Sequence, residues 1–262
     1  MAFGMVPGAR HQTLRKKDTM NFDSQEMAKL ADAQAPRLDM YGPIHKAIRA
    51  LMCDTLLAVG RADPQDAVEL NETLARVDVL LTFCVHHVQH ENNYVHTAIE
   101  ARFAGCSAGV AEEHLHHLEH IGTLRRANDA VRQAPAEQKP GMLQALYQQL
   151  ALFVADNFQH MQVEETVHND ALWAHYTDAE LHAVHEALVG SIPPEEMMFV
   201  LRWMVPYLNP GERAGMLADM QANAPAPAFA AALDVVRPHL SNKEWGKLSS
   251  ALGLQAVPGL AS

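Results

Sequence analysis

The sequence predicts an all-α protein, an antiparallel four-helix bundle with an appended C-terminal helical extension. Apolar residues recur at alternating spacings of four and three along four long segments, which is the spacing of one face of an α-helix. The connections between these segments are short, so we expect neighbouring helices to run antiparallel. No segment shows the alternation of apolar and polar residues that is typical of a half-buried strand.

We predict three regions along the chain. Residues 1–36 have mixed charge and no sustained periodicity, and we expect a flexible N-terminal tail. Residues 37–176 contain the four long periodic segments and are expected to form the bundle. Residues 177–262 are expected to form the extension, with four or five short helices whose starts are marked by prolines in SIPPEE, LNPGER and NAPAPA.

The first two bundle helices are expected over about residues 41–60 and 64–102. The first carries His45 on its inner face, one turn from Tyr41. The inward positions of the second helix include a histidine, a glutamate and a tyrosine: His87, Glu91 and Tyr94. Polar groups on an apolar face are costly unless they have partners, so these residues are candidates for a buried site.

The third and fourth helices repeat this pattern. After the turn over residues 105–109, the spacing places His114 and His117 inward, with His116 and His120 on the flank as a second choice. The fourth helix follows the loop sequence QAPAEQKPG. Its inward positions end in a histidine, a glutamate and a valine: His160, Glu164 and Val167.

Composition excludes several kinds of partner. The net charge is −11, and no block of lysine or arginine follows Lys17, so we do not expect nucleic acid to bind. No run approaches the about 18 apolar residues of a membrane span, and the first residues lack the apolar stretch of a signal peptide. We therefore expect a cytoplasmic protein with no membrane partner. The three cysteines have no CxxC spacing, which indicates neither a disulfide framework nor a thiolate zinc site.

The histidines indicate a metal site. Two segments contain a histidine followed four residues later by a glutamate, and residues four apart share one helix face. The inward candidates are five histidines and two carboxylates, which suit a pair of transition-metal ions. They are His45, His87, Glu91, His114, His117, His160 and Glu164. A single tetrahedral zinc would need only four ligands and would leave several of these buried groups unpaired.

The order of a histidine, HxxxE, a histidine-bearing helix and a second HxxxE resembles the hemerythrin-like family, whose members are also called HHE domains. The resemblance covers about residues 41–176. It implies an up-and-down four-helix bundle that holds a non-heme di-iron centre, with zinc or manganese as possible replacements. It also implies ligand roles for His45, His87, His160, Glu91 and Glu164, the two glutamates being the expected bridging groups.

Two features depart from the oxygen-carrying members of that family. Those proteins use two third-helix histidines at a spacing of four, whereas His114 and His117 are three apart. If this pair faces inward, one iron has an altered coordination number or an open position. The carriers also place the last carboxylate five residues after its histidine, whereas this chain has Glu164 and Glu165 at four and five.

The resemblance implies a protein that binds a small diatomic ligand or peroxide, for oxygen or nitric oxide sensing, storage or detoxification. One alternative is a di-iron oxidase or peroxidase, with Glu165, His168 or Tyr94 handling protons. Another is an iron-responsive regulatory module with an unknown protein partner. His96 and His168 are either second-layer partners of the site or capping and surface histidines. His182 and Glu186 form a third HxxxE outside the bundle, which we interpret as a surface pair.

Overall fold

The computed structural model describes residues 37–254, and none of these residues lies in a strand. The predicted tail, residues 1–36, lies outside the described residues, as do residues 255–262. The first half of the described chain consists of long helices and two short helices that continue them: α1 (Gly42–Arg61), α2 (Ala67–His90), α3 (Thr97–Arg102), α4 (Ala108–Gln133), α5 (Lys139–Val163) and α6 (Asn169–His175). An all-α fold was predicted and is confirmed.

Two π-helical segments make α2 continuous with α3 and α5 continuous with α6. The first, π1, spans Glu91–His96, and the second, π2, spans Glu164–His168. The C-terminal part consists of five shorter helices: α7 (Asp178–Ser191), α8 (Pro194–Met204), α9 (Pro210–Asn223), α10 (Ala226–Val236) and α11 (Asn242–Ala251). Three of these, α8, α9 and α10, begin at the proline-containing sequences that predicted helix starts.

Side-chain caps define other helix starts. The Asp66 carboxylate accepts hydrogen bonds from the backbone N–H groups of Val68 and Glu69 at the start of α2. Reciprocal capping boxes begin α7, α9 and α11, in which a serine, threonine or asparagine pairs with a glutamate three residues later. These bonds satisfy backbone donors that have no partner inside the helix.

The four long helices α1, α2, α4 and α5 pack in a ring, with α1 and α4 each lying against both α2 and α5. Their inner faces form one apolar core, in which Leu80, Leu146 and Phe153 are fully buried. Helix α8 packs on α1 and adds Val200 and Trp203 to the same core. Within residues 37–254, no helix is long and apolar enough to span a membrane.

The inner face of two helices shifts by one residue where the π segments begin. Regular α-helical spacing predicted Tyr94 and Val167 inward, but Tyr94 is only half-buried and Val167 is 51% exposed. The buried positions are instead His96 and His168. A π turn closes its hydrogen bond five residues along the chain instead of four, so one extra residue enters the turn and rotates the residues after it. The prediction for Tyr94 and Val167 was therefore wrong.

Candidate metal centre

Six of the predicted ligands come together inside the ring of long helices. Each comes from a helix or π segment that the core holds in place: His45 on α1, His87 on α2, Glu91 at the start of π1, His114 on α4, His160 on α5 and Glu164 at the start of π2. Five of the six are buried, and the His87 side chain is 12% exposed. The site is therefore enclosed by the protein.

The carboxylate of Glu91 divides its two oxygens between two sets of histidines. Its Oε1 lies 3.4 Å from Nε2 of His45 and 3.1 Å from Nε2 of His87. Its Oε2 lies 3.4 Å from Nε2 of His114. One carboxylate thus faces two separate groups of imidazoles.

Glu164 repeats this division from the opposite helix. Its Oε2 lies 3.5 Å from Nε2 of His45, and its Oε1 lies 3.4 Å from His114 Nε2 and 3.2 Å from His160 Nε2. The result is two overlapping sets of four donors that share both glutamates. The first set adds His45 and His87, the second adds His114 and His160, and the donor atoms of each set lie within 4.8 Å of one another.

Hydrogen bonds from outside the cluster orient three of these imidazoles. Each ring places its Nδ1 close to an acceptor: His45 to Glu165 Oε1 at 3.0 Å, His114 to Asn92 Oδ1 at 2.8 Å, and His160 to Glu113 Oε2 at 2.7 Å. An Nδ1–H that donates to such a group leaves the Nε2 lone pair facing the centre. This is the tautomer that a metal ion requires.

The two adjacent glutamates of π2 differ in burial and in their partners. Glu164 is fully buried among the donors, whereas the side chain of Glu165 is 22% exposed and accepts hydrogen bonds from His45 and Arg49. Glu165 therefore orients a histidine and lies outside the donor sets. The glutamate four residues after His160, and not the one five residues after it, faces the site.

The third-helix histidines divide as the helical spacing predicted. His114 and His117 are buried, and His116 and His120 are exposed. His114 belongs to the second donor set, but His117 lies outside both sets. The His117 ring packs at 74° against that of His160, with centroids 4.6 Å apart, and its buried Nδ1 has no hydrogen-bond partner.

Electrostatics divides the histidines into two kinds. Burial lowers the pKa of His45 and His114, but hydrogen bonds and charges from the glutamates outweigh it and raise both pKa values to about 9. Contacts with Glu164 and Glu113 likewise outweigh burial at His160 and raise its pKa. Burial dominates at His87 and His117, and it lowers their pKa values to about 4 and about 3. Without metal, the two buried carboxylates are therefore neutralised by protons on His45 and His114.

A cavity of about 10 Å³ adjoins the donors. It is lined by His87, His117 and His160 together with Cys84 and Asn157, and the remaining wall is apolar. This volume is close to that of one water molecule. Burial raises the pKa of the Cys84 thiol to about 12, so it faces the cavity as a neutral group and not as a thiolate ligand.

No family model, curated protein or solved structure was found to match the chain. The nature of the site must therefore be inferred from its donor atoms. Several of these acceptor atoms are buried without a hydrogen-bond partner: Nε2 of His87, Oε2 of Glu91, and both carboxylate oxygens of Glu164. Unpartnered buried acceptors are rare because each costs about 1–3 kcal/mol. Nitrogen and carboxylate lone pairs that converge in this way fit transition-metal ions.

Two residues that face the cluster were not among the predicted ligands. His96 and His168 are 5% and 0% exposed, and one ring nitrogen of each lies with a carboxylate oxygen of Glu164 within 4.8 Å. The Nε2 atoms of both histidines are buried without a hydrogen-bond partner. The fully buried hydroxyl of Tyr41 lies 3.0 Å from Nδ1 of His168. The sequence indicated His168 as one more turn of the face that carries His160 and Glu164, and His96 only by its distance from Glu91. By contrast, His182 and Glu186 are exposed, as predicted.

Proposed function

We propose that the chain is a hemerythrin-like protein that holds a non-heme di-iron centre and binds a small diatomic ligand or peroxide. In this proposal α1, α2, α4 and α5 form the antiparallel, up-and-down four-helix bundle that the sequence predicts. The observation that carries the proposal is the division of the Glu91 and Glu164 oxygens between two pairs of histidines. Oxygen or nitric oxide sensing, storage and detoxification all follow from such binding.

The donor set supports two ions more strongly than one. A single ion can take four of these donors, but it would leave two buried imidazoles beside carboxylate oxygens that have no other partner. With two ions, His45 and His87 would hold one, His114 and His160 would hold the other, and both glutamates could serve the two ions. Imidazole and carboxylate donors without thiolate suit iron, and they also accept zinc or manganese.

The cavity supports a ligand of very few atoms. It adjoins His87 from the first set and His160 from the second, so a molecule in it lies beside both proposed metal positions. When bound, a ferrous pair supplies the electrons that dioxygen or nitric oxide accepts. The protein contributes a cavity whose small size excludes larger molecules, with Ile48, Val88 and Ile121 in its apolar wall.

His117 supports the binding of a polar end of such a ligand. Its imidazole lines the cavity, and its Nδ1 is buried without a partner. Because burial lowers the pKa of His117 to about 3, the ring is neutral and has one N–H to donate. We assign His117 to ligand binding through this hydrogen bond, in place of the metal-ligand role that its sequence position predicted.

The test uses the full chain without a histidine tag, loaded without oxygen with two equivalents of ferrous iron. Visible spectra are recorded before dioxygen, after dioxygen and after its removal. We expect a new absorption band that disappears reversibly, and the same band with His182→Ala as the control. The double variant His87→Ala with His160→Ala should retain no stoichiometric iron and show no band.

Two other outcomes are informative. Continuous dioxygen consumption in the presence of a reductant would contradict reversible binding and identify the protein as an oxidase. Stoichiometric iron in the His87→Ala, His160→Ala variant would exclude the buried cluster as the metal site.

A further inference from the structure

We propose that His96, His168 and Glu164 form a third transition-metal position beside the dinuclear site. The proposal rests on the proposed function, because Glu164 belongs to both. All three side chains are at least 95% buried, and their donor atoms lie within 4.8 Å of one another. The Nε2 atoms of both histidines are buried without a hydrogen-bond partner. Two unpartnered imidazole nitrogens beside one carboxylate form a binding site for a cation.

The backbone buries His96 and His168, and this burial costs free energy. A continuous α-helix would place Tyr94 and Val167 on the inner face, where an apolar side chain needs no polar partner. The π segments place His96 and His168 there instead, from two different helices. Burying the Nε2 atoms of both rings without a hydrogen-bond partner costs free energy. A ligand that takes both lone pairs removes this cost, and π turns are frequent at functional sites.

Contacts with neighbouring side chains orient the imidazole rings of His96 and His168. The His168 Nδ1 lies 3.0 Å from the hydroxyl oxygen of Tyr41, and an Nδ1–H that donates to this oxygen leaves Nε2 free. The ring of His96 stacks on that of His114, with centroids 5.0 Å apart and planes 2° apart, which fixes its orientation. Both rings are thus held in place by groups outside the three donors.

The donor set indicates the class of ion. Two imidazoles and one carboxylate are the protein ligands of many ferrous sites that keep open coordination positions, and zinc and cobalt accept the same donors. A carboxylate oxygen has more than one lone pair, so Glu164 can serve this position and the dinuclear site together. The three sets of donors form one buried cluster with two carboxylates.

The third ion should bind most weakly. It has only three protein donors, and the charge of its single carboxylate is shared with the other two ions. Cations that lie close together in a buried site also repel one another. The first two ions are therefore expected to load before the third, and the third to leave first when a chelator is added.

The test is a crystal structure of the full chain soaked in excess zinc(II), with anomalous difference maps recorded on both sides of the zinc edge. We expect three peaks in the buried cluster, the third within bonding distance of Nε2 of His96 and His168. In His96→Phe, which keeps a ring beside His114 without a ligand atom, this peak should disappear and the other two remain. The control His175→Phe, at an exposed position, should keep all three.

Different outcomes would contradict the third metal position and the proposed di-metal site. Two peaks in the wild type, both at the dinuclear donors, would overturn the third position and leave the di-metal site intact. A third peak that persists in His96→Phe would also overturn it. The absence of any peak in the buried cluster would contradict the proposed function itself. If His96→Phe does not fold, the wild-type map alone decides, because the peak is either present between the two Nε2 atoms or absent.

Discussion

Glu91 and Glu164 occupy equivalent points on two helices: each is the first residue of a π-helical segment. Each also approaches the Nε2 of the histidine four residues before it, at 3.1 Å for Glu91 and 3.2 Å for Glu164. The regular turn before each glutamate pairs it with a histidine, and the π turn after it brings a second histidine inward. The local backbone therefore supplies three donors from each of two helices.

Adding one residue to π1 tests whether this turn sets the rotation of the residues after it. Insertion of one alanine after the exposed Asn93 should rotate the following residues by about 100°, because π1 already contains its one extra residue. His96 and Ile99 would then leave the core, which should lower the free energy of unfolding by about 3 kcal/mol or more. Urea unfolding measures this change.

Insertion of one alanine after the exposed Glu137 is the matched control, because this residue lies in the loop between α4 and α5. Its effect should be small, since loops tolerate changes in length. Equal stability of the two insertion variants would contradict a specific role for the π turn.

Glu113 lies outside the donor sets but accepts a hydrogen bond from Nδ1 of His160 at 2.7 Å. Its carboxylate is 53% exposed, so Glu113→Ala should leave the fold unchanged. Loss of this orienting bond should weaken metal affinity by about 10–100-fold. Competition with a coloured chelator measures the affinity, with the exposed Glu112→Ala as the control on the same helix. Unchanged affinity in Glu113→Ala would show that this bond does not orient the ligand.

Metal binding should depend on pH because two donors are protonated in the metal-free protein. The pKa values of His45 and His114 are raised to about 9, so at pH 7 a metal ion must displace a proton from each. Affinity should therefore rise with pH between about 7 and 9, and level off above that range. Titration calorimetry in buffers of different ionisation enthalpy should show release of at least two protons per chain, because the pKa of the ligand His160 is raised as well. Binding without proton release would contradict this account of the cluster.

Arg213 stabilises the C-terminal helices from a buried position, with 3% of its surface exposed. Its guanidinium donates to three backbone carbonyls, those of Val205, Pro206 and Leu208. Arg213→Leu leaves these acceptors without a donor and should lower the free energy of unfolding by about 3 kcal/mol or more. Thermal unfolding measures the change.

The matched control is Arg76→Leu, which removes an exposed ion pair with Asp54 and should cost less than about 1 kcal/mol. Metal content per folded chain should be unchanged in both variants, because neither arginine belongs to a donor set. Similar stability of the two variants would show that the bonds of Arg213 contribute little.

The sequence predicted the helices and most of the buried donors, because both depend on local spacing. Apolar periodicity placed His45, His114 and His160 inward, and the structure buries all three. The π segments were not predicted, because a single extra residue in a turn changes no residue type. The sequence indicates them only through a one-residue shift of the apolar positions, since the inner-face residues that follow Glu91 include Val95 and Ile99.

The side chains that orient the metal ligands could not be predicted from the sequence either. Glu113 lies on the flank of α4, and its contact with His160 depends on how α4 and α5 are rotated and spaced. The same holds for Asn92 and His114, which are 22 residues apart. Contacts between helices are set by packing in three dimensions, and helical spacing alone contains no information about them.

The central claim is that Glu91 and Glu164 together bridge two metal ions. The most direct test is low-temperature Mössbauer spectroscopy of the full chain loaded with two equivalents of ⁵⁷Fe and oxidised. Two ferric ions that share bridging carboxylates couple antiferromagnetically, so we predict a diamagnetic spectrum that accounts for nearly all of the iron. A spectrum with the magnetic splitting of isolated high-spin ferric ions would contradict a dinuclear site.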